Sequence, residues 1–528
     1  MKFKPVIVAA ALIAAIPSFS QERPLKAITR EASGRHMEYL SSDSLAGRRT
    51  GSDGNNAAAE YIRLEALKTG LRPVPGNDDL LQSLQYLKVT PVPGGSSIII
   101  KDTTGNSLYV SEVVPLMPPN DEISLSGEIV FGGYGYSNTE SKYNDLAGIS
   151  INDRIVIIMT RTPELRGSGM PAGGTGISEI TEARKLPMIM LQKAKAIFFV
   201  TDPALGNDVS ANLLLMSSSY QLIPLFRSQL FNFTLNAYSI SRETADILLR
   251  SSGVTLKQMQ DSIASTRKPA SFIIPGVRAE IDIKVTKDTV TSSNIIGYIE
   301  GSDPVLRDEA VLYTAHYDHV GRDVAGNIYN GANDNASGSV GLLNIASAFA
   351  SLDKKPARSI VFLWATGEEE GLHGSTYYTE HPLLPLEKTV AVLNFDMIGR
   401  SRRNTDVGSS VTGNIDITGP DTIKVISGAD CSELVSLASA ACRKTGIHMI
   451  DEGKGDHFSG SDHYPFYKKG IPVLFFFTGL HHDYHKPSDD IEFIDFNKLM
   501  KVSKAGFLTG YNVAANPVRL EKDKKTQK

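Results

Sequence analysis

The sequence predicts an α/β fold: a mostly parallel mixed sheet flanked by helices, with an inserted β-rich domain. Three observations lead there. From residue 276 onward, strand-like apolar runs ("AVLYTAH", "SIVFLWA", "TVAVLNFDMIG", "IKVIS", "IPVLFFF") alternate with helix-like runs ("ASGSVGLLNIASAFASL", "GSTYYTEH", "SELVSLASAACRK", "FNKLMKVSKAGFLTGYN"). Alternation of this kind argues for a parallel sheet covered on both faces. Residues 115–272 have a different texture, with short β-rich runs ("GEIVFGGYGYS", "DRIVIIMT", "KAIFFVTD", "YQLIPLF") and no histidine. Finally, 528 residues exceed one ordinary domain, and a 41% hydrophobic composition supplies ample core.

Ahead of the β-rich block, residues 27–41 and 53–70 read as helices around a Gly/Ser/Arg-rich loop, "DSLAGRRTGSDG", and short strand-like runs such as "SSIIIK" follow. The organisation expected is 1–20 signal peptide, 21–114 N-terminal part of the main domain, 115–272 insert, 273–515 main domain and 516–528 a charged, frayed tail. The start, "MKFKPVIVAAALIAAIPSFSQERP", places Lys2 and Lys4 before a short apolar stretch, Val6 to Ile16, and small residues before Gln21. That is a secretory leader cleaved near Ser20. The apolar stretch is about half the ~20 residues a membrane span needs. An exported protein, periplasmic or secreted, is expected. The net charge, 54 − 58 = −4, gives no electrostatic case for a nucleic-acid partner. Cys431 and Cys442 share one helical pattern. Eleven residues along a helix is ~16 Å, too far for a disulfide, so buried free thiols are expected.

The chemistry concentrates late in the chain. Ten of the eleven histidines follow residue 315, and acids recur where strands should end. Ligands of such sheets bind at the carboxyl ends of the strands. The first strand ends in "AHYDHVG". His316 and Asp318 have H-x-D spacing, in which the carboxylate can fix the imidazole tautomer, and His319 is a rival. Asp334 in "NGANDNASG" opens a helix and alone would pass for an N-cap. The second strand runs into "TGEEEGLHGS", where glutamates at a helix start also suit the dipole. Asp396 closes the apolar third strand, where a buried carboxylate needs a partner. The last strand precedes His481, His482 and His485. Each feature alone has a bland explanation; four successive strand ends together do not. Nitrogen and oxygen donors without cysteine favour zinc, with manganese or cobalt as alternatives. One histidine and one carboxylate per metal, with a shared aspartate, make a two-metal site suited to hydrolysis.

Taken in order, "H-Y-D", "D-N-A-S-G", "E-E-E-G-L-H-G-S", "N-F-D-M-I-G" and "Y-H-K-P-S-D" resemble the two-zinc exopeptidases (metallopeptidase family twenty-eight) that include bacterial leucyl aminopeptidases, glutamate carboxypeptidase and the transferrin receptor. The resemblance covers about 276–515. "HMEYLSSDSLAGRRTGS" is similar to the start of the same catalytic domain, and 115–272 resembles the protease-associated domain many members insert. It implies the zinc-dependent exopeptidase fold and two zinc ions. One zinc would be held by His316 and Glu369 and the other by Asp396 and His485, with Asp334 bridging; in some members the first histidine pairs with the third-strand aspartate instead. Glu368 would be the general base and Asp318 the carboxylate behind His316. Asp489 would do similar work near His485, and the Asp334–Asn335 peptide would be cis. Glu370 reads as a solvated acid. Asp462 is either a helix cap or a contact near the site, His463 and Tyr484 are candidates to steady the tetrahedral intermediate, and His373, His457, His481 and His482 read as bystanders.

The activity implied is peptide hydrolysis, first an aminopeptidase. A carboxypeptidase would want a basic clamp such as Arg400, Arg402 and Arg403. A glutaminyl cyclase-like enzyme and a non-catalytic receptor-like protein are the remaining alternatives. Oligomeric state and side-chain preference are not legible.

Overall fold

The computed structural model describes residues 22–523, except 116–118, 120, 140, 164–184, 187, 206–207, 209–218, 224–235, 324–325, 409–413 and 429. The leader therefore lies outside the described residues.

After a short helical segment, Glu22–Ala27, come two longer helices, α1 (Arg30–Leu40) and α2 (Asp53–Lys68), capped by Thr29 and Ser52 side chains that accept from Ala32 N and Asn55 N. Two very long strands follow, β1 (Leu81–Asp102) and, after the β-rich block, Phe272–Ile299. Between them lie β2 (Ile123–Phe131), β3 (Ile155–Met159), β4 (Ala196–Val200) and β5 (Ala237–Ile240), so the second long strand is β6. Then come β7 (Ala310–His316), α3 (Gly338–Ala350), β8 (Ser359–Ala365), α4 (His373–Glu380), β9 (Thr389–Phe395), β10 (Thr422–Ser427), α5 (Ser432–Lys444), β11 (His448–Gly453), α6 (His463–Lys468), β12 (Val473–Phe477) and α7 (Phe496–Ala515).

Among the described residues one sheet runs β11-β10-β12-β9-β7-β8-β6-β2-β3-β4-β5 and on to Val114–Pro115. The strands β12, β9, β7 and β8 are parallel neighbours. Every residue of β7, β8, β9 and β12 is buried, as strands covered on both faces require. Antiparallel pairings join β10 to β12 and β6 to both β8 and β2. The sheet is therefore mixed and mostly parallel, flanked by helices, as the sequence predicted. Beyond β6, strands β2 to β5 form a second parallel run.

The main core gathers Met37, Leu40, Ala58 and Ile62 from α1 and α2 with Val340 and Leu343 of α3, Trp364 of β8 and Phe507 of α7. Another core, around Ile129, Ile157, Phe198 and Tyr238, also takes Ile98 and Ile100 from β1 and Ala279 and Ile281 from β6. The strand β6 thus runs from one core to the other, since its Ile295 and Ile299 belong to the main one. Cys431 and Cys442 are free and buried. The tail is only partly a tail: Arg519 pairs with Glu309 at 2.8 Å, Leu520 is buried, and Asp523 accepts from Ser432 N, so 519–523 is held rather than frayed. No helix among the described residues is long and apolar enough to cross a membrane.

Candidate metal centre

Four adjacent strands end at one place. His316 is the last residue of β7, Glu368 to Glu370 form the turn after β8, Asp396 follows β9, and His485 lies in the loop after β12. Asp334 reaches the same spot from the turn before α3, and its peptide bond to Asn335 is cis. The expected ligands therefore converge, but in a different pairing from the first one considered. His316 Nε2 lies 3.3 Å from Asp396 Oδ1 and 3.5 Å from Asp334 Oδ1. His485 Nε2 lies 3.0 Å from Asp334 Oδ2 and 3.1 Å from Glu369 Oε2. The histidine of β7 thus stands with Asp396, not with Glu369. Asp334 presents one oxygen to each group.

The spacings fit metal ligation. Two donors each ~2.0–2.1 Å from a tetrahedral zinc stand roughly 3.3 Å apart. Among the described residues, Asp396 Oδ1 and His485 Nε2 are buried without a hydrogen bond of good geometry, as expected of atoms aimed at a common centre rather than at each other. The two groups, His319 with Asp334, Glu369 and His485, and His316 with Asp334 and Asp396, each keep their donor atoms within 4.8 Å of one another. The donor set, nitrogen and oxygen alone, suits zinc.

The electrostatics carry the same imprint. Burial opposes charge on His316, but Asp396 and Glu368 outweigh it and hold its imidazole well above the ordinary range. Burial also opposes charge on His485, and there Glu369 and Asp334 prevail in the same direction. Burial lifts the Glu368 carboxyl well above the usual carboxylate range, with His316 only partly offsetting it. Burial acts the same way on Glu369, but His485 and His319 reverse it and hold that carboxyl well below the ordinary value. Glu368 Oε2 is 3.9 Å from His316 Nε2, beside the group without belonging to it.

Residues 294–507 match the profile of Peptidase family M28. They belong to that family. The chain is 31% identical over 214 residues to leucine aminopeptidase 2 of Trichophyton equinum, covering 40% of this chain and 38% of that one. It is 27% identical over 258 residues to a probable zinc metalloprotease of Pyrenophora teres f. teres, covering 43% and 53%. The chain thus spans about half or less of the length of these curated relatives. The fold extends further. An aminopeptidase from Aneurinibacillus sp. strain AM-1 superposes with a TM-score of 0.55 at 20% identity, covering 96% of this chain and 98% of that one. A zinc aminopeptidase from Bacillus subtilis gives 0.53 at 17% identity, covering 93% and 97%.

Around these candidate ligands, several expectations are corrected. Asp318 lies behind His316, but the His316 Nδ1 contact goes to its main-chain oxygen at 3.2 Å, with the carboxylate 3.8 Å away. That carboxylate instead accepts from Thr50 Oγ1 at 2.9 Å, Glu368 N at 3.2 Å and Glu369 N at 3.4 Å, so it holds the glutamate turn. Glu370 is not a solvated acid; its side chain is only 10% exposed and pairs with Arg49 at 3.2 Å, because the N-terminal loop covers this side. Asp489 serves Asp334 rather than His485: its Oδ2 accepts the backbone N–H groups of Asn333 and Asp334, both at 3.0 Å. Arg400 is fully buried and pairs with Asp483 at 2.6 Å and Asp489 at 3.2 Å, while Arg403 also pairs with Asp483 and stacks on Phe493. Both are committed to structure, leaving Arg402 exposed.

Asp462 is buried at the N-cap position of α6, yet its side chain makes no capping hydrogen bond. Burial, partly offset by His316, lifts its carboxyl to about 7. His463 turns away, its Nε2 on Phe458 O at 2.7 Å and its ring stacked on Phe475. Tyr484 stacks on His485 with ring centroids 4.0 Å apart. His373, His457, His481 and His482 are in neither candidate ligand group.

Sequence reasoning left two contributors unassigned. His319, noted only as a rival to His316, places Nδ1 2.8 Å from Glu369 Oε1. Arg48 is buried and donates to Tyr317 O at 2.8 Å, Asn330 O at 2.7 Å and Gly331 O at 3.0 Å, fastening the N-terminal loop under the site. Burial brings its guanidinium down to about 10, against the pull of Asp334 and Asp318. The Arg-rich loop was the signal; its destination was not legible.

Proposed function

We propose that this chain is an exported zinc metallo-exopeptidase, an aminopeptidase that removes N-terminal residues from peptides at a two-zinc site. The observation that carries the reading is Asp334, whose two carboxylate oxygens each face a separate histidine–carboxylate pair. One ion would be held by His316, Asp396 and Asp334, the other by Glu369, His485 and Asp334. When bound, such a metal pair lowers the pKa of a water and polarises the scissile carbonyl.

The chain's own residues do the rest. Glu368 is the neighbour of a ligand and belongs to neither ligand group, which frees it to take a proton from the attacking water and return it to the leaving amine. Asp318 keeps Glu368 and Glu369 in register by accepting both backbone N–H groups. Two features favour the amine end of the substrate. The site is rich in carboxylates, and Arg400 and Arg403 are already paired, so the basic clamp a carboxypeptidase needs is not supplied by them. Export rests on Lys2, Lys4 and the apolar stretch from Val6 to Ile16, with cleavage near Ser20.

The test is hydrolysis of aminoacyl-nitroanilides and dipeptides by zinc-loaded protein. Cleavage is expected to stop with a chelator, with N-acetylated substrates and in Glu368→Gln. A zinc-loaded protein that cleaves neither substrate class, or cleaves blocked peptides equally well, refutes the aminopeptidase reading.

A further inference from the structure

The reading above assigns every donor at the centre except His319. This side chain is fully buried, and the protein is shaped around it. Gly331 has φ +56, and a Cβ there would stand 2.4 Å from His319 Cδ2, so the turn before Asp334 leaves room for this ring. The His319 main chain is tied to Arg48 O at 3.3 Å. The ring also meets that of His485 edge-on, with centroids 5.4 Å apart.

His319 makes a different kind of contact from the other histidines. Its Nδ1 to Glu369 Oε1 distance of 2.8 Å is a hydrogen-bond length with hydrogen-bond geometry. The contacts of His316 and His485 within the ligand groups are longer, 3.0–3.5 Å. The two oxygens of Glu369 are divided, Oε1 to His319 and Oε2 to His485. The far side of the ring decides between ligand and donor. His319 Nε2 is buried with no hydrogen-bond partner among the described residues. A histidine ligating through Nδ1 carries its proton on Nε2 and nearly always donates it to a carboxylate, carbonyl or water. Here that N–H would be orphaned in the interior. With the proton on Nδ1, the N–H is used and Nε2 is left as a bare acceptor.

We infer that His319 is a positioning residue for the Glu369–His485 side of the centre: its Nδ1–H donates to Glu369 Oε1 and turns Oε2 toward His485 and Asp334. The inference rests on the metal reading of the same site. Removing such a partner of a ligand typically costs 10- to 100-fold in metal affinity.

The experiment is a chelator-competition titration of the full-length protein with Zn²⁺, together with visible spectra of the Co²⁺-loaded form, for wild type, His319→Ala and His319→Asn. In His319→Ala one metal equivalent should weaken about 10- to 100-fold while the other is unchanged. His319→Asn, whose amide can donate from near the Nδ1 position, should recover most of that loss and keep the wild-type cobalt bands. Asn also guards against a folding defect in the alanine variant. Wild-type affinity for both equivalents in His319→Ala overturns the inference. So does an Asn variant as weak as Ala with shifted cobalt bands, because His319 would then be a ligand. A wild-type protein that binds no metal, or Glu369→Gln with undiminished affinity, removes the metal reading and this inference with it.

Discussion

The sheet has two parallel runs with similar strands and different ends. In β2 to β5, "IVIIM" and "AIFFV" are as thoroughly buried as "SIVFLWA" in β8. Asp202 follows β4 much as Asp396 follows β9. Yet Asp202 is balanced where it stands: Tyr134 donates to it at 3.1 Å, Ala204 N at 2.8 Å, and Arg161 lies 3.5 Å away. At the other run, Asp334, Glu368, Glu369 and Asp396 crowd His316 and His485, and Asp396 Oδ1 has no hydrogen-bond partner among the described residues. Parallel strand ends supply a location in both. An acid becomes a site residue only where the surrounding protein leaves its charge for something else to balance.

The contrast can be broken most forcefully at Glu368. Glu368→Gln should lower turnover by roughly 100- to 10,000-fold while retaining both metals, read by steady-state kinetics beside metal analysis. Next comes the support beneath Asp334. Arg400→Leu takes the arginine from Asp489 in the interior and leaves Asp483 with Arg403, which should cost about 3–5 kcal/mol in denaturant unfolding. A smaller effect belongs to Asp416. Burial works against its charge, but His457 and Lys424 hydrogen-bond it and hold the carboxyl at about 2. An unfolded aspartate titrates near ~3.9, so this stabilisation is complete above about pH 4 and disappears as pH falls through about 2. Asp416→Asn should flatten the decline in unfolding midpoint between those pH values. Smallest is the second parallel run itself: Asp202→Asn should leave kcat and metal content unchanged, and a loss of either would mean the two runs are not as different as described.

Much of this was legible in sequence because it depends on local pattern. The runs that became β7, β8, β9, β10 and β12 are apolar and bounded, and the acids and histidines that meet sit at their ends. The long strands were not legible. In β1, "TPVPGG" interrupts the pattern, and the pairing with β6 shifts register between Pro91 and Ser96 while the strand continues. The edge strand β11, "HMIDEG", has little buried surface to leave an apolar signature. At the site, the misreadings share one cause. Glu370 was read as solvated because Arg49, its partner, lies 321 residues earlier. Asp489 was assigned to its neighbour in sequence, His485, whereas its hydrogen bonds reach back to Asn333 and Asp334. His319 looked like a competitor of His316, although the two rings serve opposite sides of Asp334.

The central claim is that Asp334 is shared between two metal positions. Metal analysis of protein dialysed against a weak chelator tests it directly, comparing wild type with Asp396→Asn, Glu369→Gln and Asp334→Asn. Two equivalents are expected in wild type, one in each of Asp396→Asn and Glu369→Gln, and weakened binding of both in Asp334→Asn. A single equivalent in wild type, or an Asp334→Asn protein that keeps two, would contradict it.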